Sequence, residues 1–249
     1  MIYRSNLTCP DLAKQFKHCV SRPMGHSFGH DVMSDWADKK DDDPVFGIYK
    51  KCGFWTQDEA AILYHAALKL PAVSTVGATN TILDIGTHTG WTAMHVAIAG
   101  FRVIGLDPMY ANAEFLKRAM ENTSACFIPT HRTSRQFFAD IHESMRFSMV
   151  IIDGDHSPGY PLEDAQNAAK HLTPTGVIIL HDGIGPPVRE AVTWLLDNGF
   201  KARIYWSPHL VFCAWRGDFI PPDHTADPAI DWTCYVREFS EDFDLSRLS

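Results

Sequence analysis

"ILDIGTHTGW", residues 82–91, is the stretch that decides the fold. Ile82, Leu83 and Ile85 make a short β-rich run around Asp84, and Gly86 and Gly90 then carry the chain through a turn into an apolar, helix-length segment starting at Trp91. A strand that passes through glycines into a helix is the opening unit of a parallel α/β sheet. Gly86 lets backbone approach a ligand, and Gly90 permits close packing where the helix begins, with its free N–H groups turned to the loop. The spacing is D-x-G-x-x-x-G, which is neither the G-x-G-x-x-G of a nicotinamide site nor the G-x-x-x-x-G-K-[ST] of a P-loop.

Outward from this unit the same alternation continues. Strands are expected at 81–85, 102–106, 125–129, 148–153, 176–181, 202–206 and 210–215, with helices at 91–99, 111–122, 134–143, 161–171 and 187–198. This rhythm describes a parallel sheet covered on both faces. Only Ser207, Pro208 and His209 separate the last two strands, too few residues for a helical crossover, so those two must pair antiparallel. Upstream, Thr56 and Glu59 have capping-box spacing, and Ala60, Ile62, Leu63, Ala66, Ala67 and Leu70 recur at helical intervals until Pro71. Residues 1–55 are irregular and read as a cap that shapes a substrate pocket, 56–215 as the main domain, and the Pro- and Asp-rich residues 216–249 as a tail or lid. Phe46, Tyr49, Phe54 and Trp55 could roof a small substrate or plug the core, while His26 and His30, with Gly29 between them, read as a surface loop.

The second strand ends at Asp107, where an acid can hold the two hydroxyls of a ribose. A glycine turn plus that acid suits an adenosine with no pyrophosphate to cradle. On these residues the chain resembles the class I S-adenosylmethionine-dependent methyltransferases from about Gly53 to about Trp215. The resemblance implies a Rossmann-like, seven-stranded, mostly parallel sheet of order 3-2-1-4-5-7-6. It places Asp84, Gly86, Thr87, Gly90 and Trp91 at the methionine end of the cofactor, Asp107 on the ribose, and Thr133 and Ser134 on the adenine side.

"MVIIDGDHSPGY", residues 149–160, ends an apolar strand in Asp153, Asp155 and His156, and "VIILHDG" closes the next strand with His181 and Asp182. Adjacent carboxyl ends of a parallel sheet open into one crevice, so these side chains can converge. Two carboxylates and an imidazole suit a divalent cation; oxygen ligands favour Mg²⁺, Ca²⁺ or Mn²⁺, and a histidine ligand tilts toward transition metals. Within the family the chain is similar to enzymes that methylate hydroxyls with metal assistance, such as catechol and macrolide-sugar O-methyltransferases. That resemblance makes Asp153, His181 and Asp182 the metal ligands, with His181 standing where those relatives carry an acid, adds Asp153 to the cofactor site, and makes His156 the general base in a D-G-x-H motif.

The expected function is methyl transfer from S-adenosylmethionine to a hydroxyl of a small molecule, assisted by Mg²⁺, Mn²⁺ or another transition metal. The alternatives are a metal-independent O- or N-methyltransferase and a non-catalytic adenosyl-binding scaffold. The net charge of −8, with no basic block, argues against a general nucleic-acid partner. The six cysteines contain no C-x-x-C pair and read as reduced thiols. With no apolar leader and no apolar run near the roughly 20 residues of a membrane span, the expectation is a soluble cytoplasmic protein, as a monomer or a homo-oligomer.

Overall fold

The computed structural model describes residues 6–8, 55–71, 80–88, 90–109, 127–228, 231–239 and 241–249; the side chains of Gln57, Trp91, Cys234, Tyr235 and Glu238 are not described. The expected cap (all of 1–55 but 6–8 and Trp55, with His26, His30, Phe46, Tyr49 and Phe54), the helix at 111–122 and the start of the third strand therefore lie outside the described residues.

Seven strands form one sheet of order β3-β2-β1-β4-β5-β7-β6. They are β1 (Thr81–Ile85), β2 (Arg102–Leu106), β3 (Phe127–Thr130), β4 (Phe147–Ile152), β5 (Leu172–Leu180), β6 (Lys201–Tyr205) and β7 (Val211–Trp215). β1 to β5 run parallel, whereas β7 is antiparallel to both β5 and β6, as the three-residue connection required. Several bounds shift by one to three residues, and the largest difference among the described residues is at β5, expected at 176–181: it begins at Leu172, directly after a helix, because Leu172 pairs with Phe147 ahead of a register shift in the ladder.

Six helices flank the sheet among the described residues: α1 (Gln57–Leu68), α2 (Trp91–Ile98), α3 (Ser134–Asp140), α4 (Tyr160–His171), α5 (Pro186–Asp197) and α6 (Thr233–Phe239). Alternation along each strand divides the core in two. Ile82, Met149, Ile151, Val177 and Ile179 pack on one face with Ile62, Leu63, Ala66, Ala93 and Met94 of α1 and α2. Leu83, Val150, Ile152, Ile178 and Leu180 pack on the other with residues of α3, α4 and α5. No described helix is long and apolar enough to cross a membrane.

The tail binds both layers. Tyr205 Oη donates to the Pro222 carbonyl at 3.0 Å, and His224 Nε2 lies 2.8 Å from Asp58 Oδ2 at the start of α1. Farther on, Phe239 and Phe243 are buried in the second core layer, Asp242 Oδ1 accepts from Arg189 Nε at 2.8 Å, and the Ser249 amide donates to the Ala202 carbonyl at 2.8 Å. Cys213, in β7, is a buried free thiol that burial pushes up to about 12.

Candidate functional site

The parallel ladder continues one step beyond the strand ends. The Asp153 amide donates to the Ile85 carbonyl at 2.9 Å, and the His181 amide donates to the Ile152 carbonyl at 3.1 Å. With a period of two, Asp153 follows Ile151 and His181 follows Ile179 on the α1/α2 face, and Asp84 follows Ile82 there on β1. An apolar face thus ends in a row of titratable groups. Gly86 completes the row: its φ is +85°, and a Cβ there would collide with the Asp153 carbonyl, so only glycine lets the two loops touch.

His181 is 1% exposed and its ring is fixed on several sides. Its Nδ1 lies 3.0 Å from Asp153 Oδ1 and 3.5 Å from Asp182 Oδ2, while Nε2 faces Glu59 Oε2 at 3.5 Å. Trp55 stacks on the ring at 4.3 Å between centroids, and its indole N–H donates to Asp153 Oδ2 at 2.7 Å. His156 Nε2 points into the same carboxylates, 3.4 Å from Asp153 Oδ1 and 3.2 Å from Asp182 Oδ2. Asp182 reaches the cluster through a left-handed backbone, φ +55°, which Asp tolerates better than most residues.

Charges in this cluster hold one another. Burial opposes ionisation of Asp153 and Asp182, but the imidazoles of His181 and His156 outweigh it and keep both carboxyls below their usual range. Burial likewise opposes the charge on His181, and Asp153, Asp182 and Glu59 override it, raising the imidazole well above its ordinary value. Hydrogen bonds to Asp153 and Asp182 raise His156 to about 9. Asp84 goes the other way: burial and the nearby Asp153 charge push it up to about 8, and among the described residues neither of its side-chain oxygens accepts a hydrogen bond.

The donor set fits a divalent cation. Ligand atoms of Asp153, His181 and Asp182 lie within 4.8 Å of one another, and two anionic carboxylates bring the charge such an ion requires.

These groups stand at a cavity of about 800 Å³ whose wall includes Gly86, Thr87, Asp107, Thr133, Ser134, Asp153, His156 and Asp182. The structure therefore gathers most of the expected cofactor residues around one space. Asp84 and Gly90 are buried outside its wall, and the side chain of Trp91 lies outside the described residues. Asp107 already organises the rim, since its Oδ2 accepts from the His88 amide at 2.9 Å and its Oδ1 from the Met109 amide at 2.7 Å. Thr133 caps α3, where its hydroxyl accepts from the Gln136 amide at 3.2 Å. The described tail residues do not reach this wall.

Sequence reasoning missed Glu59, its partner His209, and Asp164. Glu59 was legible only as a helix cap, which it is: Oε2 accepts from the Thr56 amide at 2.8 Å. The same carboxylate also accepts from Ser207 Oγ at 3.1 Å and from the His209 amide at 2.7 Å, and it faces His181, contacts that join α1 to the β6–β7 turn. The His209 and His181 imidazoles hold it well below the carboxylate range against the effect of burial. Asp164 of α4, buried at the cavity wall, is pushed up to about 6 by that burial. No motif marked it.

Residues 83–183 match a family model described as a methyltransferase domain, and they span the strand ends that build this site. No curated protein sequence matches the chain. Among solved structures, a methyltransferase from Geobacter sulfurreducens superposes with a TM-score of 0.55 at 14% identity over 78% of this chain and 99% of that one. The O-methyltransferase TomG from Streptomyces achromogenes, solved with S-adenosylmethionine and involved in tomaymycin synthesis, has a TM-score of 0.51 at 16% identity, covering 75% and 96%. A Corynebacterium glutamicum protein reaches 0.54 at 11% identity over 78% and 93%. The sheet order and these likenesses are those of a class I methyltransferase fold.

Proposed function

From this methyltransferase fold, we propose that the protein moves the methyl group of S-adenosylmethionine to a hydroxyl of a small-molecule acceptor, with a divalent cation held by Asp153, His181 and Asp182. The observation that carries the proposal is the convergence of these three residues and His156 on the wall, or directly behind the wall, of the cavity lined by Gly86, Thr87, Asp107, Thr133 and Ser134.

In this reading Gly86 lets the cofactor lie against backbone, and Asp107, already braced by two amides, offers its remaining lone pairs to the ribose hydroxyls. The bound sulfonium supplies an electrophilic methyl. A cation at the acidic pair, when bound, lowers the pKa of an acceptor hydroxyl. His156 takes the hydroxyl proton. While Asp153 and Asp182 spend their charge on His156 it stays protonated near neutrality, raised to about 9; it becomes a base when a cation occupies those carboxylates. Trp55, stacked behind His181 and bonded to Asp153, closes one side of the site and keeps both side chains in place.

A second, metal-free reading has its own support, because His156 Nε2 itself sits between the two carboxylates where a cation would go. Calorimetric titration of S-adenosylmethionine into chelator-treated protein, with and without Mg²⁺ or Mn²⁺, separates the readings. Cofactor binding together with metal binding lost in Asp182→Ala supports the metal-assisted reaction. Cofactor binding with no metal uptake supports the second reading, and no cofactor binding removes both.

A further inference from the structure

Glu59 is the least expected member of the cluster. It is 0% exposed, sits in the first turn of α1, and belongs to no strand end. A carboxylate there needs several donors to offset its burial, and it has them in the Thr56 amide, the Thr56 hydroxyl at 3.0 Å, Ser207 Oγ and the His209 amide. A helix cap alone needs neither the burial nor the contacts to residues about 150 positions away. What the position adds is an acceptor at the far edge of His181: Oε2 faces Nε2 across 3.5 Å, while Nδ1 faces Asp153 and Asp182.

An imidazole ligates a metal through a ring nitrogen that carries no hydrogen, so its other nitrogen must hold the hydrogen and needs somewhere to put it. Here His181 can offer Nδ1 to the acidic pair only with its hydrogen on Nε2, a buried atom that has no hydrogen bond among the described residues and whose neighbouring carboxylate is Glu59 Oε2 at 3.5 Å. Trp55, stacked on it at 14°, and the His209 ring 4.9 Å away hold the plane of the ring, and Asp153 Oδ1 at 3.0 Å holds Nδ1 on the acidic side. We propose that Glu59 is a positioning residue which orients His181 and sets its tautomer, so that the cation at Asp153 and Asp182 is ligated by Nδ1 and the site prefers a transition metal such as Mn²⁺ to Mg²⁺. A cation held only by oxygen would carry no such preference from this residue. The inference rests on the metal-assisted reading above.

The test titrates Mn²⁺ and Mg²⁺ separately into chelator-treated full-length protein by calorimetry, and examines the Mn²⁺ form by pulsed electron paramagnetic resonance for a directly bonded imidazole nitrogen. Wild type should bind one Mn²⁺ per chain more tightly than Mg²⁺ and show that nitrogen. The signal should vanish in His181→Gln and persist in His156→Gln. Glu59→Gln should weaken Mn²⁺ binding about 10- to 100-fold, as loss of a ligand's outer partner does, and lower the Mn²⁺/Mg²⁺ ratio. Ser207→Ala removes a Glu59 partner remote from His181 and should leave the ratio unchanged; a purely structural role would move both metals alike. An unchanged ratio in Glu59→Gln, a wild-type Mn²⁺ form without the nitrogen, or two Mn²⁺ per chain overturns the inference. If Glu59→Gln does not fold, as judged by lost S-adenosylmethionine binding, Glu59→Asp takes its place with the same expected direction, and the nitrogen signal still decides. Wild type that binds S-adenosylmethionine but no divalent cation overturns the metal reading itself.

Discussion

Asp84 and Asp153 end the same face of neighbouring strands, and their carboxyls are driven apart: burial and the Asp153 charge push Asp84 up to about 8, while the imidazoles of His181 and His156 hold Asp153 below its usual range. Two acids in one row therefore do different work, one neutral and one charged at neutral pH.

The neutral acid has a thermodynamic signature. With an unfolded value near 3.8 and a folded value of about 8, the folded protein binds more protons at Asp84 than the unfolded chain between these limits. Its contribution is fully present below the unfolded pKa and lost as pH rises to about 8, on the order of a few kcal/mol. Urea unfolding from pH 5 to pH 8.5 should show stability falling, and Asp84→Asn should flatten that slope. A slope unchanged in Asp84→Asn contradicts a neutral Asp84.

Gly86 and Gly100 both have positive φ, +85° and +98°, but a Cβ on Gly100 meets nothing within 4 Å among the described residues, whereas one on Gly86 strikes the Asp153 backbone. Gly100→Ala should cost about 1 kcal/mol of stability and leave cofactor binding alone. Gly86→Ala should cost about 2–3 kcal/mol more and abolish S-adenosylmethionine binding. Thermal unfolding and calorimetry on the pair check this.

If Asp107 meets the ribose, Asp107→Ala should weaken S-adenosylmethionine by about 2 kcal/mol, roughly 30-fold, through loss of charged hydrogen bonds. Equal weakening of S-adenosylhomocysteine is expected, since the methyl is far from the ribose. Binding within twofold of wild type would place the ribose elsewhere.

Arg189 is 5% exposed, donates to Asp242 and to the Ile184 carbonyl, and lies 4.5 Å over the Phe239 ring. Asp242→Ala leaves that guanidinium without its anion and should destabilise the fold by about 1–2 kcal/mol, a value reduced by the partial exposure of Asp242. Cofactor affinity should not change, which denaturation and titration of the same variant will show. A large loss of cofactor affinity with intact stability would instead mark the tail as part of the site.

Local pattern was enough for much of this molecule. Strand runs of branched apolar residues, the glycine turn after Asp84, the capping box at Thr56 and the three-residue link before Leu210 are short-range features, and each determines its own element because the physics involved acts within a few residues. Parallel strands also align their carboxyl ends, so Asp153, His156, His181 and Asp182 could be assembled from strand ends alone. Glu59, His209 and the stacking role of Trp55 could not. They arrive from α1, from the β6–β7 turn and from the residue before the α1 N-cap, and nothing in the spacing of residues 55, 59, 181 and 209 says that they meet. Only packing α1 across the sheet end brings them together, and burial then converts a helix-capping carboxylate and a core histidine into a coupled pair, because charge interactions strengthen as water is removed.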